Sequence, residues 1–169
     1  GVFLLEGWTV ARFRDHLVLW TGGGGGIGRA SARRIAAEGG AVYCVDLNPA
    51  AVEAAVATIV GEGGRASGRV CDISCEDDVR ACVAACVAEY GSLDALVNMA
   101  GMLRFDDTEQ LTLAQWQQVI DVNLTGTMLL CREVIPHLLL TKGSIVNAAS
   151  TACLLYTSPS PRDRTRSRI

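Results

Sequence analysis

Between about residue 16 and residue 150, short unbroken apolar runs alternate with stretches whose apolar positions recur at helical spacing. The runs are Leu17-Val18-Leu19-Trp20, Ala41-Val42-Tyr43-Cys44-Val45, Val70-Cys71, Ala95-Leu96-Val97 and Ile145-Val146. A strand with one wet face alternates apolar and polar residues, whereas an unbroken run suits a strand covered on both faces of a parallel sheet. Between the runs, Val52, Val56, Ile59 and Val60 share one helix face, as do Val79, Cys82, Val83, Cys86 and Val87. The punctuation agrees with this division. Asn48-Pro49 reads as an N-cap with proline in the first turn, and Thr112 with Gln115 as a capping box. Lys142-Gly143 places a cation and a glycine where the helix before the last strand should stop. The pattern predicts an α/β fold: a doubly wound parallel sheet with helices on both faces, carried as far as a fifth strand.

Composition narrows the function classes. The chain has 169 residues, half of them hydrophobic and a fifth charged, which suits one domain with a sizeable core rather than disorder. The net charge of −3 hides an asymmetry, because four Arg and one Asp from residue 162 onward leave 11 basic and 17 acidic residues before them. An acidic body argues against a nucleic-acid surface. No run of about 18 apolar residues is present to span a membrane, and no signal peptide is recognisable. The seven cysteines contain no C-x-x-C pair. Cys82 and Cys86 would share a helix face, but their valine neighbours mark it as core, so reduced buried thiols are expected rather than zinc ligands. That usage suits a reducing cytoplasm.

The densest chemical signal is Thr21-Gly22-Gly23-Gly24-Gly25-Gly26-Ile27-Gly28, set between the first strand and a helix. A dinucleotide pyrophosphate needs backbone N–H donors at close range, glycines remove the Cβ atoms in the way, and a helix N-terminus adds unpaired N–H groups. The competing reading is a flexible glycine linker, which would not be pinned between a buried strand and a helix. Asp46 ends the second strand, 18 residues after Gly28. A carboxylate there accepts from both adenosine ribose hydroxyls and repels a 2′-phosphate. With no basic residue among Gly23–Gly25 or directly after Asp46, NAD is favoured over NADP. The competing reading of Asp46 is a plain strand-end residue before the Asn48 cap.

These residues resemble the short-chain dehydrogenases/reductases. Thr21-Gly-x-x-x-Gly26-Ile27-Gly28 looks like their T-G-x-x-x-G-x-G fingerprint, and Asn98-Met99-Ala100-Gly101 like their N-N-A-G, with Met99 in place of an Asn. The resemblance runs over roughly residues 11 to 152. It implies a Rossmann-like fold and an oxidoreductase that interconverts a small alcohol and a ketone with NAD. It further implies that Gly22, Gly25, Gly26, Ile27 and Gly28 hold the pyrophosphate and that Asp46 and Leu47 meet the ribose. Asp72 and Ile73 would contact the adenine, and Asn98, Ala100 and Gly101 would line the cofactor ribose and support the central strand. Asn123, in a helix kinked near Gly126, would hold a proton-relay water, and Ser150 would orient the substrate. The family's oligomers pack through the long helix around Thr112–Leu140, so a homo-oligomer is implied.

The family's Tyr-x-x-x-Lys pair has no match. Thirteen residues after Ser150 stands Asp163, Tyr156 is followed four residues later by Ser160, and Lys142 is the only lysine. Composition also shifts at Cys153. Cys153-Leu154-Leu155-Tyr156-Thr157-Ser158 reads like a translated sequencing-library adapter, so residues 153–169 are expected to be foreign to the gene. The expected division is an uncertain N-terminal extension at 1–10, an incomplete dinucleotide-binding domain at 11–152 and that tail, and the chain as given is expected to be inactive. Two other function classes stay open: a non-catalytic dinucleotide sensor, which a native sequence without Tyr-x-x-x-Lys would favour, and a structural interaction protein, which failure to bind NAD would favour.

Overall fold

The computed structural model describes residues 11–22, 26–104, 107 and 109–149. The expectations for residues 1–10 and 153–169 fall outside them. Five strands, β1 (Leu17–Thr21), β2 (Ala41–Asp46), β3 (Arg65–Val70), β4 (Ala95–Asn98) and β5 (Ser144–Asn147), form one sheet. The order is β3-β2-β1-β4-β5 and every pairing is parallel. Five helices connect them: α1 (Gly26–Ala37), α2 (Pro49–Gly61), α3 (Glu76–Tyr90), α4 (Leu113–Ile120) and α5 (Thr127–Thr141). A π-helical segment, Asp121–Gly126, joins α4 to α5.

The unbroken apolar runs have the predicted cause. Leu17 and Leu19 of β1 face a core with Val79, Cys82, Val83 and Cys86 of α3 and Leu130, Val134 and Leu138 of α5. Val18 and Trp20 face the other way, onto Ala32 and Ile35 of α1 and Ala55 and Ile59 of α2. Two half-cores thus sandwich the sheet. Asn48 caps α2 by accepting from the Ala50 N–H, and Thr112 and Gln115 form the reciprocal capping box. No helix among the described residues is long and apolar enough to cross a membrane.

Two expectations need correction. The third strand is Arg65–Val70, not Val70-Cys71. Among the described residues it pairs with β2 alone and is largely exposed, so it carries no apolar run; Ala66 packs on the core and Gly68 approaches β2 closely, where a Cβ would meet the Cys44 carbonyl oxygen at 2.4 Å. Val60, expected on the buried face of α2, is exposed. α5 ends at Thr141, where Lys142-Gly143 is expected to stop it, and Lys142 itself turns left-handed, at φ 58°. Gly143 serves closeness instead, because a Cβ there would stand 2.3 Å from the Asp94 carbonyl oxygen.

Candidate functional site

The order β3-β2-β1-β4 means that the chain leaves β1 toward one side of the sheet and β4 lies on the other. Connections diverge at that point, and a crevice opens beyond the carboxyl ends of the two strands. Thr21 closes its floor. Its side chain is fully buried, and its hydroxyl oxygen accepts from the Met99 and Ala100 N–H groups, both at 3.2 Å. This ties the end of β1 to the loop after β4.

Gly22 sits above Thr21 at φ +72°, and a Cβ on it would stand 2.6 Å from the Ala100 nitrogen. Both the backbone angle and the close approach require glycine. Gly28 is required for a different reason, since its Cβ would meet the Gly22 carbonyl oxygen at 2.6 Å as α1 packs onto the strand end. Gly26 opens α1 and has nothing among the described residues within 4 Å of its Cβ position. Internal packing therefore does not account for glycine there, whereas close approach of an anionic group to a helix N-terminus does. Ile27 is exposed, and Gly25 lies outside the described residues.

A cleft of about 340 Å³ fills the crevice. Gly22, Asp46, Leu47, Asp72, Ile73, Ala100 and Gly101 all border it, so seven of the residues singled out from sequence meet at one place. Asp46 half-emerges at the end of β2, where its carboxylate accepts from the Asn48 N–H at 3.0 Å. Asp72 accepts from the Ser74 N–H and hydroxyl at 2.9 and 2.6 Å, which sets the turn after β3. Carboxylates at Asp46 and Asp72, apolar Leu47, Ile73 and Val122, and Gly22, against which the first turn of α1 packs at Gly28, suit a ligand with hydroxyls, a flat base and a diphosphate. A dinucleotide fits that donor and acceptor set.

Residues 16–160 match the short chain dehydrogenase family. This chain belongs to that family. It is similar to the D-threitol dehydrogenase of Mycolicibacterium smegmatis, at 39% identity over 142 residues, 83% of this chain and 55% of that protein. It is also similar to the short-chain reductase protein NovJ of Streptomyces niveus, at 43% identity over 146 residues, 85% of this chain and 55% of that protein. Among solved structures, an NAD+-bound xylitol dehydrogenase is 33% identical with a TM-score of 0.81, covering 88% of this chain and 57% of its own. The chain spans about half the length of these relatives.

Asn98 and Asn123, also singled out from sequence, do not border the cleft and make contacts of their own. Asn98 is buried and does not border the cleft. Its amide donates to the Asn147 side-chain oxygen at 2.8 Å and its backbone oxygen accepts from the Ala148 N–H, so it holds β4 to β5. Asn123 lies in the π-helical segment, which is the form the expected kink takes. Its side chain is tied to one backbone residue: Oδ1 accepts from the Met102 N–H at 2.7 Å and Nδ2 donates to the Met102 oxygen at 2.8 Å. It thereby anchors the loop after β4. Gly126 lets this segment approach the turn after β3, as a Cβ there would stand 2.9 Å from Ile73. Ser150 lies outside the described residues.

Met99, Met102 and Val122 also line the cleft and were not singled out as site residues. Apolar side chains in loops carry no local signal, although Val122 does adjoin Asn123. Three buried cysteines are held in the thiol form. Burial pushes the Cys44 thiol up to about 11 and the Cys86 thiol up to about 12. Cys71 is raised as well, first by its hydrogen bond with Cys82 and then by burial. Among the described residues, no group of three or more His, Cys, Asp or Glu side chains could hold a metal ion.

Proposed function

We propose that the whole protein is a cytoplasmic, NAD-preferring oxidoreductase that interconverts a small alcohol and a ketone, with these residues as its dinucleotide-binding part. The observation that carries the reading is the cleft at the strand ends, where Gly22, Asp46, Asp72, Ala100 and Gly101 converge near the N-terminus of α1. Relatives named for alcohols, such as D-threitol dehydrogenase and cyclohexanol dehydrogenase, support the substrate class.

In this reading the N-terminus of α1, with Gly22, Gly25, Gly26, Ile27 and Gly28, holds the diphosphate. Asp46 and Leu47 receive the adenosine ribose, Asp72 and Ile73 the adenine, and Ala100 and Gly101 the second ribose. When bound, the nicotinamide accepts or supplies the hydride. Ser150 orients the substrate oxygen through its hydroxyl. Asn123 acts by fixing the loop at Met102, which keeps Ala100 and Gly101 in place along the cleft. Copies of the chain associate through α4 and α5, where Leu113, Trp116 and Met128 are exposed.

Calorimetric titration with both dinucleotides tests the proposal. The chain should bind NAD more tightly than NADP, because Asp46 repels a 2′-phosphate. Asp46→Ala combined with Leu47→Arg should reverse the order, since the repulsion goes and a phosphate partner arrives. Tighter binding of NADP by the unaltered chain would refute the assignment of Asp46.

A further inference from the structure

Among the described residues two buried side-chain polar atoms lack a hydrogen-bond partner, Asn98 Oδ1 and Trp20 Nε1. Asn98 belongs to the join between β4 and β5. The indole N–H of Trp20 takes part in no such join. Trp20 is 4% exposed, near the end of β1, flanked by Cys44 of β2 and Val97 of β4. Its ring lies in the apolar cluster under α1 and α2. A buried N–H without an acceptor is costly and uncommon in folded proteins. An aliphatic side chain would fill the same kind of space without that cost, as Val18 does two residues earlier on the same face.

The position of the orphan is informative. A Cβ built on Gly28 would stand 3.3 Å from Trp20 Nε1 and 2.6 Å from the Gly22 carbonyl oxygen. The unused donor and that carbonyl therefore flank the same bare spot beside the first turn of α1, yet they form no hydrogen bond. The Gly22 carbonyl also shares one peptide unit with the Gly23 N–H, in the glycine run where an anion is expected. A donor on a peptide oxygen polarises the unit and strengthens its N–H as a donor, and an anion on the N–H strengthens the oxygen as an acceptor. Each event favours the other, and the coupling is reciprocal.

We propose that Trp20 is a positioning residue for the diphosphate seat, whose indole N–H donates to the Gly22 carbonyl when the dinucleotide binds. The proposal rests on the dinucleotide reading above. It makes the phosphate turn answer to a side chain inside the sheet, on the face away from the cleft.

The test uses the full 169-residue chain labelled with 15N, which carries three tryptophans and hence three indole signals. The signal of Trp20 is the one lost in Trp20→Phe. On saturation with NAD, with binding measured separately by calorimetry, the Trp20 indole proton should move downfield while that of Trp116 on α4 stays in place. Trp20→Phe should bind NAD roughly two- to tenfold more weakly, the range of one hydrogen bond. Calorimetric binding of NAD with an unmoved Trp20 signal would overturn the proposal and leave the dinucleotide reading intact. Unchanged affinity in Trp20→Phe would overturn it too. Absence of any binding heat or amide shift with NAD would bring down the dinucleotide reading, and this proposal with it.

Discussion

Gly22 and Glu38 show how much one residue can decide. At Gly22 a left-handed backbone angle coincides with contact against the Ala100 backbone, and neither partner can yield without moving the loop after β4. Gly22→Ala is expected to destabilise the chain by about 1–3 kcal/mol through backbone strain and to abolish the proposed dinucleotide binding, as thermal unfolding and calorimetry would measure. Glu38, buried at the end of α1, is paired with Arg12 and Arg34. Hydrogen bonds from Arg12 and then Arg34 hold its carboxyl at about 2, below the ordinary 4.5. A lowered carboxyl pKa contributes stability that is full above 4.5 and is lost as pH falls toward 2. Denaturation midpoints of the unaltered chain should therefore fall across that acid window, and Glu38→Gln should flatten the dependence there. Equal slopes in the two proteins would refute the pairing as a source of stability.

Among the elements, the π-helical segment between α4 and α5 does the most for the site. Its extra residue per turn brings Gly126 against Ile73 and turns Asn123 toward Met102, so one irregular turn touches both loops that border the cleft. An uninterrupted α-helix would leave Asn123 on a different bearing. Asn123→Ala should cost about 1–2 kcal/mol from the two lost hydrogen bonds and should speed hydrogen exchange at the Met102 amide. Unchanged exchange at Met102 would show that the loop holds itself. The capping box at Thr112 and Gln115 is the opposite kind of feature, local and complete within four residues, which is why it could be read directly from the chain.

At the scale of the whole molecule, the cleft exists because β1 sits at the middle of the sheet with half-cores on both faces. Leu19 is fully buried in one of them, against α3 and α5, and Trp20 is buried in the other. Any loosening of β1 shifts Thr21 and Gly22, and with them the floor of the crevice. Leu19→Ala should destabilise the fold by about 2–5 kcal/mol, the usual range for a leucine truncated in a packed core. Urea denaturation would measure it, and a loss below about 1 kcal/mol would show that Leu19 is not tightly packed in its half-core.

The sequence by itself determined what depends on near neighbours: strands β1, β2, β4 and β5, the buried faces of α2 and α3 apart from Val60, the caps at Asn48 and Thr112, and the glycine turn. It also held the family fingerprint and most of the cleft residues, because each lies at or just past the end of a strand. Tertiary structure alone decided the rest. β3 is a strand because β2 offers it a hydrogen-bonding edge, although Arg65-Ala66-Ser67-Gly68 has no apolar pattern to announce it. Position 143 must be glycine because it lies against Asp94, 49 residues away. Asn98 turns inward and Asn123 grips Met102 through partners 49 and 21 residues distant. Local pattern reports burial and turn chemistry. The direction of a polar side chain depends on which distant backbone comes within about 3 Å of it, and only the folded chain brings that backbone there.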